Sequence, residues 1–255
     1  MNRYPIAEAS FTQLLKNSFR LHYLTLKHII FFIFLITALK YTSYIFTLLV
    51  SNGIAQTIVN CIIVLLAVYI FSAALLSTHD AFMDRSKTLP DALLEIKKNA
   101  TNIYATFFAY IVGIACTYAF AKLLGLAVYH LLDKYFSSLH GFTTILLATL
   151  MLMFIAMFFF SYPLAVIDSK KIQNAFYDSL VLSDKNKFGI FILFFIMIAI
   201  NILISPASLQ EYFLSTYHLG VLYDFVVLCV MLPLFINLLL LLINDAKLQL
   251  TADEV

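Results

Sequence analysis

Hydrophobic residues gather in six long runs along the chain, each of 17 or more positions and each bounded by polar or charged clusters. The runs are apolar around their whole circumference, as Ile190 to Ile200 illustrates, so the strict alternation of a transmembrane barrel strand does not fit. A helix of that length crosses a hydrocarbon core of about 30 Å. The pattern predicts spans over 29–50, 54–77, 103–129, 142–163, 188–204 and 221–243. The expected fold class is all-α, a polytopic membrane bundle of six transmembrane helices.

Before the first, third and fifth runs the pattern changes to that of an amphipathic helix: Phe11, Leu14, Leu15 and Phe19; Leu89, Leu93 and Ile96; Ile172, Ala175, Phe176 and Leu180. Thr88 ahead of Pro90 reads as a helix start, and Asp168 reads as a cap for the third segment. Apolar stripes opposite Lys and Asp, beside a membrane, would bury themselves at the headgroup boundary. Each segment precedes a hairpin of two runs, which reads as a threefold internal repeat with units of about 1–85, 86–168 and 169–255 within one membrane domain covering 1–255. Pro5, Ala7, Phe11 and Asn17 recur 85 positions later as Pro90, Ala92, Ile96 and Asn102, and Ala175 lies 83 beyond Ala92.

Composition agrees: 63% of the 255 residues are hydrophobic, 12% are charged, and mean hydropathy is +0.95. A soluble domain would carry about twice that charge. The net charge of +2 has no block of like charges behind it, which excludes nucleic acid as a partner. Position carries more information than sum. Arg3, Lys16, Arg20, Lys27, Arg85, Lys87, Lys97, Lys98, Lys170, Lys171, Lys185, Lys187 and Lys247 share one side of the drawn topology, thirteen of the 16 basic residues, against Lys134 alone on the other. The positive-inside rule makes the basic side cytoplasmic, so both termini are expected there, in the cell inner membrane. The N-terminus has no cleavable signal pattern, and the first run reads as a retained helix.

Few residues carry chemistry. Cys61, Cys116 and Cys229 fall inside spans without ligand-spaced neighbours, and no hydrolase, phosphate-loop or metalloprotease motif occurs, so no enzyme activity, metal or cofactor is expected. His79, Asp80 and Asp84 form the best acidic cluster and read as a solvated helix end. Lys40, Lys122 and Asp224 fall within spans, about 15, 10 and 5 Å from the outer helix ends at about 1.5 Å per residue. Intramembrane charges are functional candidates, and either an ion pair of Asp224 with one lysine or snorkelling to the interface would accommodate them. Asn60, Asn201 and Asn237 read as amides that hydrogen-bond between helices. Ala105, Ala109, Gly113, Thr117, Ala121 and Gly125 form a ridge of small residues, which would place the third helix at the centre of the bundle. Pro163 stands at the inner end of the fourth run, and Pro233 sits near the middle of the sixth, where it should kink the helix.

Pro163-Leu-Ala-Val-Ile-Asp168, then Ala175, Ser179 and Asn186-Lys187-Phe188, resembles the YciC-like bacterial inner-membrane proteins and related membrane domains fused to glycerophosphodiesterases. The resemblance implies six helices and an envelope-related role, and no catalytic residues. The chain lacks a phosphodiesterase domain. Two functions follow as expectations. One is a non-enzymatic membrane protein whose basic interfacial candidates Lys97, Lys98, Lys170 and Lys171 contact membrane lipids, a protein partner or a second copy. The other is a small transporter using Lys40, Lys122 and Asp224 around an outward-facing cavity.

Overall fold

The computed structural model describes residues 4, 9–50, 52–85, 87, 89–132, 139–204 and 217–253, and all of its regular structure there is helical. The helices are α1 (Phe11–Leu49), α2 (Gly53–Phe82), α3 (Leu89–Leu132), α4 (Leu139–Phe158), α5 (Ser161–Ile167), α6 (Ile172–Lys185), α7 (Lys187–Ile204) and α8 (Tyr217–Asp253). Among the described residues, five stretches are long and apolar enough to cross a membrane: Phe11–Phe46, Gly53–Phe82, Pro90–Leu126, Leu147–Ile167 and Gly220–Thr251. The protein is thus an all-helical, multi-pass membrane protein. Lys134 and Thr88, and the side chain of Asn201, lie outside the described residues.

The helices run further than the hydropathy pattern drew them. Neither Gly nor Pro occurs between Phe11 and Leu49, so nothing separates the first amphipathic segment from the span that follows it. That helix is 39 residues long, about 58 Å, nearly twice a hydrocarbon core. Helix α3 likewise continues through 44 residues. Only the third amphipathic segment is a separate helix, α6, ended by Asn186 at φ −128° and ψ 38°. Asn52 caps the start of α2: its side chain accepts from the N–H groups of Ile54 and Ala55 at 3.0 and 3.4 Å.

The chain forms two compact units, one of 1–100 and 191–255, the other of 101–190. In the first, α1 packs along α8 and α2. The buried face of α1 is Leu14, Ser18, Thr25, Ile29, Phe32 and Ile33, so Leu14 packs inward while Phe19 is 58% exposed and leaves the stripe that the sequence assigned to it. Two thirds of the most apolar stretch of α8 is buried, 67% against 6% for that of α3. Of the five apolar stretches, the most enclosed is therefore that of α8, not that of α3. Small residues set how closely a helix approaches one neighbour, whereas enclosure depends on how many neighbours it has, and α8 touches both α1 and α2.

In the second unit the small ridge of α3 meets α4 at Gly113. A Cβ added at Gly113 would run into the Phe154 ring. Phe154 stacks on Tyr110 with centroids 6.2 Å apart and continues to Phe158 at 4.9 Å, which meets Phe176 of α6 at 5.2 Å. The break between α4 and α5 falls at Phe159 and Phe160, where Pro163 has no N–H for the Phe159 carbonyl. Ser179 fills this break: its Oγ accepts from Phe160 N at 3.0 Å and donates to Met157 O at 3.2 Å. Ala175, one turn earlier and fully buried, lets α6 come that close. Asp168 closes α5, and Lys171 is the residue that precedes α6, so the expected cap at Asp168 belongs to a different helix end.

Candidate functional site

Helices α1 and α8 run antiparallel and are tied by polar contacts at three levels. At one end Asp245, buried to 1%, accepts from Ala9 N at 2.9 Å. Further along, Asn237 Oδ1 accepts from Thr25 Oγ1 at 2.5 Å while its Nδ2 donates to Ser18 O at 3.0 Å, and Ser18 Oγ donates to Leu234 O at 3.2 Å. At the other end Lys40 Nζ donates to Asp224 Oδ2 at 2.5 Å, and Tyr41 Oη donates to the same oxygen at 2.9 Å. Asparagine thus serves as the interhelical bond expected of Asn237. Asn60 does the same, accepting from Ser43 Oγ at 2.7 Å.

The Lys40–Asp224 pair realises one of the pairings that the sequence allowed. The Asp224 side chain is 6% exposed and that of Lys40 is 40% exposed, so the ammonium reaches outward from a carboxylate that is enclosed. An enclosed carboxylate costs several kcal/mol unless a cation and further donors meet it, and Lys40 and Tyr41 meet it from consecutive positions of one helix. Tyr41 escaped sequence reasoning because tyrosine is ordinary at membrane interfaces. Its signal was adjacency to an intramembrane lysine. Lys122 stands exposed on α3 with its Nζ 5.9 Å from the Tyr118 ring centroid.

The end of α2 departs from the sequence reading. Asp80 is not a solvated end but 2% exposed, and Lys87 Nζ lies 3.0 Å from its Oδ2. Lys87 also donates to Glu95 of α3, which brings both acids onto one ammonium. That bond to Glu95 is the largest influence raising the Lys87 pKa above its ordinary value, with Asp80 adding to it and burial opposing it. His79 Nδ1 bonds Tyr4 Oη at 2.7 Å, and Tyr4 packs edge-on against Phe82 with centroids 5.4 Å apart.

The same device recurs after α5. Lys170 bonds Asp178 of α6 and lies 3.7 Å from Asp168. Lys170 and Asp178 each follow Lys87 and Glu95 by 83 positions, as Ala175 follows Ala92, and both connections contain a residue in left-handed backbone, Asp84 at φ 60° and Ser169 at φ 53°. Among the four interfacial candidates, then, Lys170 is held between two acids, whereas Lys97, Lys98 and Lys171 are exposed. Lys187 pairs with Asp184 at 2.6 Å on the surface and, chiefly through that bond, lowers the Asp184 pKa. No protein-family model, curated protein or solved structure matches the chain.

Proposed function

We propose that the chain is a non-enzymatic protein of the bacterial inner membrane, of YciC-like type, which crosses it six times with both termini cytoplasmic and serves the envelope through contacts of its basic helices with lipid or a partner. The observation that carries this reading is the split among the basic residues. Lysines that structure needs are neutralised by acids in the two connections, at Lys87 and Lys170, while Lys97, Lys98 and Lys171 are left exposed. The recurrence of the acid-lysine-acid arrangement supports the threefold repeat, and α7, at 18 residues and about 27 Å, supports a sixth span.

The transporter alternative draws its support from Lys40 and Asp224. Their geometry favours a clamp between α1 and α8 instead, because one oxygen of a single enclosed carboxylate takes both α1 donors. A strain deleted for the protein and complemented with variants, with membrane levels matched, separates the two. Neutralising the exposed Lys97, Lys98 and Lys171 to Gln, with Lys170 left in its ion pairs, is expected to abolish complementation in protein that still inserts. Full rescue by that variant, together with failure of Asp224→Asn at normal abundance, would replace this reading with transport.

A further inference from the structure

The amphipathic segments were expected to offer apolar stripes to the headgroup region, yet part of each stripe is spent inside the protein: Leu14, Ile96 and Ala175 are each at most 1% exposed, while Phe19 and Leu180 stay outward. On α1 this leaves the opposite face outward. Lys16, Arg20, Tyr23 and Lys27 are all exposed and follow one another at intervals of four, three and four residues, which places them on one side of a helix with 3.6 residues per turn. Phe19 and Tyr23, 58% and 78% exposed, lie among the three cations. The face covers about 17 Å of helix.

Its charge is uncompensated along the chain. No Asp or Glu occurs from Ala9 to His79, so no acid on α1 can do for Lys16, Arg20 and Lys27 what Asp80 and Glu95 do for Lys87. The helix passes without interruption from this face into the apolar run that begins at Ile29. The cations are therefore held within about 20 Å of the hydrocarbon. Cations interleaved with aromatic rings at that depth are complementary to phosphate headgroups above an acyl region, since the rings take the boundary and the ammonium and guanidinium groups reach the phosphates.

We infer that the Lys16–Arg20–Tyr23–Lys27 face of α1 binds anionic phospholipid of the cytoplasmic leaflet. This rests on the proposed orientation and names the lipid class and surface through which the protein would engage it. Arg20 supplies a bidentate phosphate donor, and Lys16 and Lys27, about one and two turns away, supply point charges. Each charge near an anionic surface is worth roughly a fivefold change in affinity, so removing three lowers it at least about tenfold even with screening.

The test uses the purified full-length protein in neutral detergent, titrated with phosphatidylglycerol or phosphatidylcholine and read by native mass spectrometry. Wild type is expected to retain phosphatidylglycerol over phosphatidylcholine, less so as salt rises, and the combined Lys16→Gln, Arg20→Gln, Lys27→Gln variant is expected to lose that preference at an unchanged melting temperature. Equal retention of the two lipids by wild type, or an unchanged preference in the variant, would overturn the inference. Loss of preference on neutralising Lys97 and Lys98 instead would move lipid binding to α3, overturning the α1 assignment while leaving the broader functional reading intact. A variant that keeps phosphatidylglycerol but fails to complement the deletion strain would assign the α1 face to a protein partner. The broader reading fails separately, through the complementation experiment described above.

Discussion

Ser179 and Ser183 stand one turn apart on α6, both buried, with opposite consequences for stability. Ser179 satisfies a donor and an acceptor released where α4 gives way to α5, while Ser183 Oγ has no hydrogen-bond partner among the described residues. Removing a hydroxyl that serves a buried N–H leaves that group stranded, at about 1–3 kcal/mol. Removing a hydroxyl that serves nothing leaves no group stranded. Ser179→Ala is therefore expected to lower the stability of the detergent-solubilised protein by about 1–3 kcal/mol. Ser183→Ala should be neutral or stabilising. Thermal unfolding of the two variants side by side checks this, and equal losses would show that Ser179 matters only for its volume. The pairing also gives a physical reason for the Pro163, Ala175 and Ser179 pattern: the proline opens a backbone break, the serine closes it and the alanine permits the approach.

Between elements, the connection from α2 to α3 depends on a single ammonium. With Lys87 gone, Asp80 is an enclosed carboxylate without its cation, a loss on the order of 3–5 kcal/mol. Lys87→Met should destabilise strongly at neutral pH, and adding Asp80→Asn should recover much of the loss, so the double variant unfolds later than Lys87→Met alone. Additive losses would remove the ion pair from the account. The raised pKa of Lys87 fixes the pH sign: its contribution is complete below the ordinary lysine pKa of about 10.4 and disappears as pH rises through the higher folded value. Wild type should therefore lose stability at alkaline pH more steeply than Lys87→Met. How far such features could be read beforehand differed by type. Hydropathy located the long helices and placed Asp224 within reach of a lysine, since periodicity and intramembrane charge are local signals. Helix continuity through Arg20 and Asn102 was not legible, because a polar stretch without Gly or Pro reads equally as a junction or as more helix. Asp80 looked solvated because its cation lies seven positions away across a turn, and Phe19 was assigned to the wrong face because two aromatic rows on one helix cannot be ranked without the partner that buries one of them.

At the scale of the whole molecule, the number of crossings and the side of the C-terminus are coupled, and α7 decides both. It is the shortest of the long apolar helices at 18 residues, yet Phe191, Phe195, Met197 and Ile198 are exposed along it, as expected of a helix among lipids. If α7 crosses, a residue at the end of α6 and one at the end of α8 share a side. If it does not, only α8 lies between them as a crossing, and they face opposite compartments. Exposed positions suit the measurement: Gly53, where an added Cβ meets nothing within 4 Å, together with Lys98, Lys185 and Thr251. In a background with Cys61, Cys116 and Cys229 replaced by Ser, a membrane-impermeant maleimide applied to intact spheroplasts should label Gly53→Cys. It should reach Lys98→Cys, Lys185→Cys and Thr251→Cys only after permeabilisation. Labelling of Thr251→Cys from outside, with Lys185→Cys protected, would reduce the protein to five crossings and put its C-terminus outside. Labelling of Lys98→Cys from outside would reverse the orientation, turn the Lys16–Lys27 face away from the cytoplasm, and leave the thirteen-to-one distribution of basic residues without its cause.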